Sequence, residues 1–268
     1  MLKIKQIILV VLLLASFSSC SEFSKVLNKG TSAEKYTLAT ELYEAKKYNK
    51  SIQLFEKIIP AYRGKPQMER VQYMLSNAYY QTKNYLLAAY HFERFTKNYP
   101  KSTKQEEAFY LSAHSYYLSI PRSSLDQSDT KTAIAAFQNF IDTYPNSTKI
   151  LESNKLVKEM QMRLEKKAFD IAFQYYHTEN YKAAVYAFDN FLSDNLGSSL
   201  KEEALYIKSK AAYSLAINSV SKKKEVRIKN ALKTMKRLDY NFKNSKHKAE
   251  IEKLRKHLKQ ELQNIASN

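Results

Sequence analysis

The sequence predicts an all-α chain, a superhelical α-solenoid of five helix pairs closed by a C-terminal capping helix. Three observations predict it. The first is that only 3 of 268 residues are Gly and 5 are Pro, too few for the glycine-rich turns that hairpin sheets favour. The second is a pattern shared by KKYNKSIQLFEKI, KNYLLAAYHFERF and ENYKAAVYAFDNF. After Tyr48, Tyr85 or Tyr181 comes a small residue at +3 (Ser51, Ala88, Ala184), Phe at +7 (Phe55, Phe92, Phe188) and an apolar residue at +10 (Ile58, Phe95, Phe191). Steps of three and four put these residues on one helical face. The third is a set of aromatic landmarks, Tyr36, Tyr73, Tyr110, Phe169 and Tyr206, at intervals of 37, 37, 59 and 37.

The chain begins with MLKIKQIILVVLLLASFSSC: a basic start at Lys3 and Lys5, an unbroken apolar run from Ile7 to Leu14, then small residues up to the only cysteine, Cys20. That is the layout of a secretory leader, and the run is short of the roughly 20 residues that span a bilayer. It resembles a bacterial lipoprotein signal, so residues 1–19 are expected to be removed and Cys20 to carry N-acyl and S-diacylglycerol chains. The alternative is a plain leader with an incidental cysteine. Ser21, where an Asp would retain such a lipoprotein at the inner membrane, implies the outer membrane. Residues 20–32 read as the acylated N-terminus and a polar tether.

Repeats 1–3 are assigned to 33–147. A landmark helix carries small residues three after each aromatic (Ala39, Ser76, Ala113, Ala172, Ser209), where paired helices approach closely. A fourth copy of the second-helix pattern lies at Ala133, Phe137 and Phe140, and a fifth at Ala231, Met235 and Leu238. The 59-residue interval predicts eight extra residues in the loop around Pro121–Asp129 and fourteen extra residues of helix around Leu151–Leu164. Turns recur as NYPKST, TYPNST and NFKNSK; Pro stops one helix in the first two, with Lys243 in its place in the third, and Ser or Thr caps the next. The linking helix, repeats 4 and 5 and an amphipathic capping segment (251–266) fill 148–268, the last because a solenoid end must be covered.

The pattern resembles the tetratricopeptide repeat, with a coincidental amphipathic bundle as the alternative. In that family the first helix of each pair lines the concave face. The resemblance therefore implies a peptide groove lined by two aromatic rows. One is the landmark row. The other lies seven residues on, at Tyr43, Tyr80, Tyr117, Tyr176 and Tyr213, with Asn77 and His114 among the residues between them. Tyrosine offers a large apolar face and a hydroxyl, which suits adaptable recognition of another polypeptide. About half of these rings are expected to be largely buried.

No catalytic constellation is present. The five histidines are scattered without ligand spacing, and a single cysteine excludes a cysteine-clustered metal site or an internal disulfide. The chain is read as a non-enzyme with no cofactor beyond the acyl groups and no metal. It carries 44 Lys and Arg against 26 Asp and Glu, net +18, with cations gathered late, at Lys222–Lys224 and from Lys229 to Lys248. An exported chain has no nucleic acid to meet, so anionic lipid, an acidic partner or plain solvent faces this charge. His247 and His257 are expected on the surface.

The third repeat, YYLSIPRSSLDQSDTKTAIAAFQNFIDTYPNS (116–147), and the long helix after it resemble the BamD family of lipoproteins of outer-membrane β-barrel assembly. The resemblance implies a lipid-anchored periplasmic body whose C-terminal repeats dock on the POTRA domains of BamA beside other Bam subunits. It also implies that the N-terminal repeats receive the C-terminal targeting signal of unfolded outer membrane proteins. The alternative is another envelope tetratricopeptide lipoprotein adaptor of the Tol–Pal-associated type, against which residues 21–35 are too short for a coiled coil.

Overall fold

A computed structural model describes residues 22–267. The leader, Cys20 and its acyl groups lie outside the described residues. Among these the chain forms twelve helices and no strand: α1 (22–29), α2 (Ser32–Glu44), α3 (Tyr48–Tyr62), α4 (Gln67–Gln81), α5 (Tyr85–Asn98), α6 (Gln105–Leu118), α7 (Ser128–Thr143), α8 (Ile150–His177), α9 (Tyr181–Asp194), α10 (Lys201–Ile217), α11 (Ser221–Asn241) and α12 (Lys248–Ser267). They make two compact units, which divide inside α8 after Lys158, not at the 147/148 boundary read from the sequence.

In the first unit α2–α3, α4–α5 and α6–α7 are antiparallel pairs, and α3 and α5 pack on the first helix of the following pair. In the second unit Phe169 of α8 sits edge-on against Phe188 and Phe191 of α9. There α10 packs on both α9 and α11, and α12 covers α10 and α11. These are tetratricopeptide-like helix pairs. The repeated pattern explains them position by position. Ser51, Ala88, Ala133, Ala184 and Ala231 have no exposed surface, and neither do Phe55, Phe92, Phe137, Phe188 and Met235. The five apolar residues at +10 are buried equally well, as are the small residues of the first helices. The smallness is what permits contact: Ser51 Oγ donates to the Ala39 carbonyl at 2.8 Å, and Ser112 Oγ to the Ala89 carbonyl at 3.1 Å.

The fourteen extra residues are indeed extra turns, since α8 runs unbroken for 28 residues; fourteen residues lengthen a helix by about 21 Å. The eight-residue insertion falls in the loop 119–127 and the start of α7, and the loop is pinned by Gln127. Its buried amide donates to the carbonyls of Arg122 and Leu125 at 3.0 and 3.1 Å.

Two sequence expectations change. Residues 22–29 are helical where a tether was expected, and Phe23, Val26 and Leu27 pack on the core of the first unit. Gly30 allows this: its amide donates to the Val26 carbonyl at 2.9 Å, and a Cβ there would stand 2.6 Å from that same oxygen. Thr31 then opens α2 with a capping box completed by Glu34. The scarcity of Gly also does not prevent left-handed turns. Lys46, Lys83 and Glu179 adopt φ of 58°, 61° and 59°, each between the two helices of a pair. In each the next amide reaches back to close a paired helix C-cap, as from Asn84 to the Tyr79 carbonyl at 2.9 Å.

An L-residue in that region carries a cost of about 1–2 kcal/mol, partly offset by the greater unfolded-state freedom of Gly. Lys83→Gly is therefore expected to stabilise the first unit by about 0.5–1 kcal/mol, seen as a higher urea midpoint. Phe137→Ala is expected to cost about 3–5 kcal/mol in the same measurement.

Candidate functional site

The first helix of each pair presents the two aromatic rows, and the structure ties them to the next first helix in line. Asn77 Nδ2 donates to Tyr43 Oη. The Tyr80 hydroxyl and His114 Nδ1 are 2.8 Å apart, and Tyr213 and His257 Nδ1 are joined at the same distance. His114 also stacks on Tyr110 and lies beside Tyr117 at 5.9 Å, so Tyr80, Tyr110, His114 and Tyr117 form one cluster in the first unit. Burial holds His114 below the usual histidine range, so its ring is neutral near pH 7. In the second unit Tyr176 contacts Phe173 and Tyr181, and Tyr36, in the first, stacks on Tyr62 at 5.3 Å.

The landmark row has a further device that the sequence reading missed. Tyr73, Tyr110 and Tyr206 each meet a glutamate of the following repeat: Glu107, Glu152 and Glu250. The Tyr206–Glu250 bond is 2.6 Å long. Three residues before each glutamate stands a group that covers the ring. Lys104 lies 5.3 Å above Tyr73, Lys149 lies 5.0 Å above Tyr110, and the His247 ring stacks on Tyr206 at 3.6 Å. Burial and the glutamate bond push the Tyr73 and Tyr110 phenols well up, which keeps them donors.

The turn sets this geometry. Ser102, Ser147, Ser198 and Ser245 accept from the amides of Lys104, Lys149, Leu200 and His247 at 2.9–3.1 Å, orienting the helix start so that the glutamate three residues on faces back. The signal was present: segments 99–107, 144–152, 195–203 and 242–250 all carry Ser fourth and Glu ninth. The repeat with Phe169 as its landmark has no hydroxyl to offer. Its ring-covering position is Leu200, which joins the apolar core with Phe169, and Glu203 turns to His247 at 3.0 Å instead. His247 is therefore half-buried in a stack on Tyr206 and not free on the surface, while His257 is exposed as expected.

Of the eleven groove positions named from sequence, Tyr110 and Tyr206 are buried. Tyr36, Tyr43, Tyr73, Asn77, Tyr80, His114, Tyr117, Tyr176 and Tyr213 are half-buried and none is exposed, so more of the rings are covered than the half expected. The rows are thus clasps between repeats with one edge open to solvent. Among the described residues no three His, Cys, Asp or Glu converge to hold a metal, and no helix is long and apolar enough to cross a membrane.

The clasps have a pH signature. Hydrogen bonds from Lys149 and Tyr110 hold Glu152 below the usual carboxyl range, and those from Tyr206 and Lys210 do the same for Glu250. Burial pushes Glu107 up, but Lys104 and Tyr73 bring it below its ordinary value. A depressed carboxyl pKa contributes stability that is complete above its unfolded value and is lost as pH falls through the folded one. Stability to urea is therefore expected to drop below about pH 4.5. A Glu152→Gln, Glu250→Gln variant is expected to show a flatter acid limb in the same titration.

Comparison with known proteins finds two overlapping matches to one family, described as YfiO: Outer membrane lipoprotein, at residues 28–167 and 149–266. No curated protein matches. Among solved structures, one described as the TPR2AB-domain:pHSP90-complex of yeast Sti1 is similar at 13% identity and a TM-score of 0.37, covering 85% of this chain and 98% of that one. With matches that together run from residue 28 to 266, through both units, the chain belongs to the YfiO (BamD) outer membrane lipoprotein family.

Proposed function

We propose that this chain is the helical-repeat scaffold of an outer-membrane β-barrel assembly machine. Acyl groups on Cys20 hold it on the outer membrane, facing the periplasm. Repeats 4 and 5 dock on the POTRA domains of a BamA-type barrel subunit beside other Bam subunits, and the N-terminal repeats receive the C-terminal signal of unfolded outer membrane proteins. It works by binding and not by catalysis. The observation that carries this reading is family membership along the chain's two units. The tyrosine rows of the first unit support the client-binding part. Tyr43, Tyr73, Tyr80 and Tyr117 each keep part of their surface open. Their neighbours hold Tyr43, Tyr73 and Tyr80 in place through hydroxyl bonds. Side chains immobilised before a ligand arrives lose little entropy on binding it, and aromatic faces suit a client strand that is itself rich in aromatics.

The test is photo-cross-linking in living cells from single positions replaced at Tyr43, Tyr80 and Tyr117. Adducts with outer membrane proteins are expected, and they should vanish when the client lacks its last strand. Adducts that ignore the strand would refute client recognition. A Tyr80→Ala, Tyr117→Ala variant is expected to lose client peptide binding at least tenfold, with circular dichroism unchanged. Tyr80→Phe, which keeps the ring, should retain most of it. Purification from membranes should bring down a POTRA-containing barrel, and radiolabelled palmitate should enter the protein but not its Cys20→Ala variant.

A further inference from the structure

Each unit contains a cavity over a first helix, walled by the second helix before it and the second helix after it. In the first unit α5, α6 and α7 enclose about 450 Å³. Its charged side chains, Glu93 and Lys97, pair with each other at 2.6 Å, so the cavity is neutral. In the second unit α9, α10 and α11 enclose about 610 Å³. The floor is apolar, made by Val185, Ala212 and Leu215. The walls are cationic: Lys208, Arg227, Lys233, Lys236 and Arg237 line the space together with a single acid, Asp189.

That acid is already occupied, because the buried Lys208 donates to it. Arg227 reaches only the neutral Ser219 hydroxyl, at 2.7 Å. Lys233, Lys236 and Arg237 are exposed at the rim, and no ion pair joins any of these last four cations to an acid among the described residues. Elsewhere on α11 Lys224 is matched by Glu261 at 2.6 Å and Lys229 by Glu225 at 2.5 Å, while Lys222 and Lys223, outside the cavity lining, stand exposed at the helix start. The repeat architecture accounts for the shape of the cavity, which recurs, but not for its charge, which does not.

We propose that this cavity is a binding site for an anionic phospholipid, with its phosphate among Arg227, Lys233, Lys236 and Arg237 and the start of its acyl stem on Val185, Ala212 and Leu215. Guanidinium groups match phosphate oxygens in pairs, and lysines add point charge. The volume is that of a small-ligand pocket, roughly 300–1,000 Å³, whereas a stable protein partner covers about 800 Å² on each side, more than this recess offers. The apolar floor separates a lipid from a free anion, which would have no use for it. The site lies between second helices and apart from the tyrosine rows, so it stands independently of the client-binding reading.

The chain contains no Trp, and Tyr240, on the cavity rim, is 84% exposed. Tyr240→Trp therefore supplies a lone fluorescent reporter. The intact protein, held in phosphatidylcholine nanodiscs, is titrated with dihexanoylphosphatidylglycerol below its micelle concentration. A saturable change is expected, at least tenfold tighter than with dihexanoylphosphatidylcholine. It should weaken at least tenfold in a Lys236→Ala, Arg237→Ala variant, and similarly in Lys233→Glu, with circular dichroism unchanged. Lys97→Ala, in the neutral cavity of the first unit, should leave it unaltered. Equal response to both lipids, or unaltered affinity in the cationic variants, overturns the proposal. Inorganic phosphate binding as tightly as the lipid makes the site one for a free anion and overturns it too. An acidic peptide binding more tightly than the lipid assigns the cavity to a protein partner with the same result.

Discussion

The close approach of two helices at a small residue is the constraint from which the remaining architecture follows. At Ala39, Ser76, Ala113, Ala172 and Ser209 a larger side chain would push the paired helices apart, and the aromatic stripe of the second helix would then lose its seat. A helix pair of this size cannot bury such a stripe alone, so it must stack on a neighbour. Phe55, Phe92, Phe137 and Phe188, which fill four of the five pairs, are fully enclosed, as is Met235 in the fifth, and well-packed aromatics of this kind contribute about 3–5 kcal/mol each. Capping bonds and surface ion pairs, at about 1 kcal/mol or less, decide where helices begin and end but not whether they pack.

Upon that packing lies a second layer of order, the polar clasp from one repeat to the next. Tyr73, Tyr110 and Tyr206 are covered by Lys104, Lys149 and His247 and bonded by Glu107, Glu152 and Glu250. The Phe169 repeat serves as an internal control. Without a hydroxyl to bond, the ring shares its apolar core with Leu200 at the equivalent position, and the glutamate goes elsewhere. A buried phenol without a partner would be costly, and these side chains are chosen together. The consequence for function is pre-organisation: rings that present an edge to solvent are held in one orientation before anything binds.

The two units use the same framework for different surface chemistry. The first exposes the edges of a tyrosine and histidine cluster and has, apart from it, a neutral cavity. The second combines its own tyrosine clasps with a cavity whose cations exceed its acids. The positive charge visible in composition is thus not evenly spread. Part of it is consumed in pairs with Glu225, Glu250 and Glu261, and part is left unmatched on one face of α11.

How much was legible in advance depended on the range of the interaction. Helix class, pair boundaries, the second-helix stripe, the long α8 and the capping helix are written in local periodicity, because burial of one face of a helix imposes a spacing of three and four on the chain itself. The left-handed turns at Lys46, Lys83 and Glu179 were not legible. Tertiary packing of the two helices forces that conformation on residues with no preference for it. The recurring Ser and Glu of the turns were legible, but not their pairing with tyrosine hydroxyls, whose partners lie 34 to 44 residues away. Sequence alone determined which residues share a helical face, since that is a property of one helix. Only the tertiary structure decided which rings are clasped, which cations remain unpaired and where the N-terminal segment packs, because each of these depends on distances between helices that no local pattern contains.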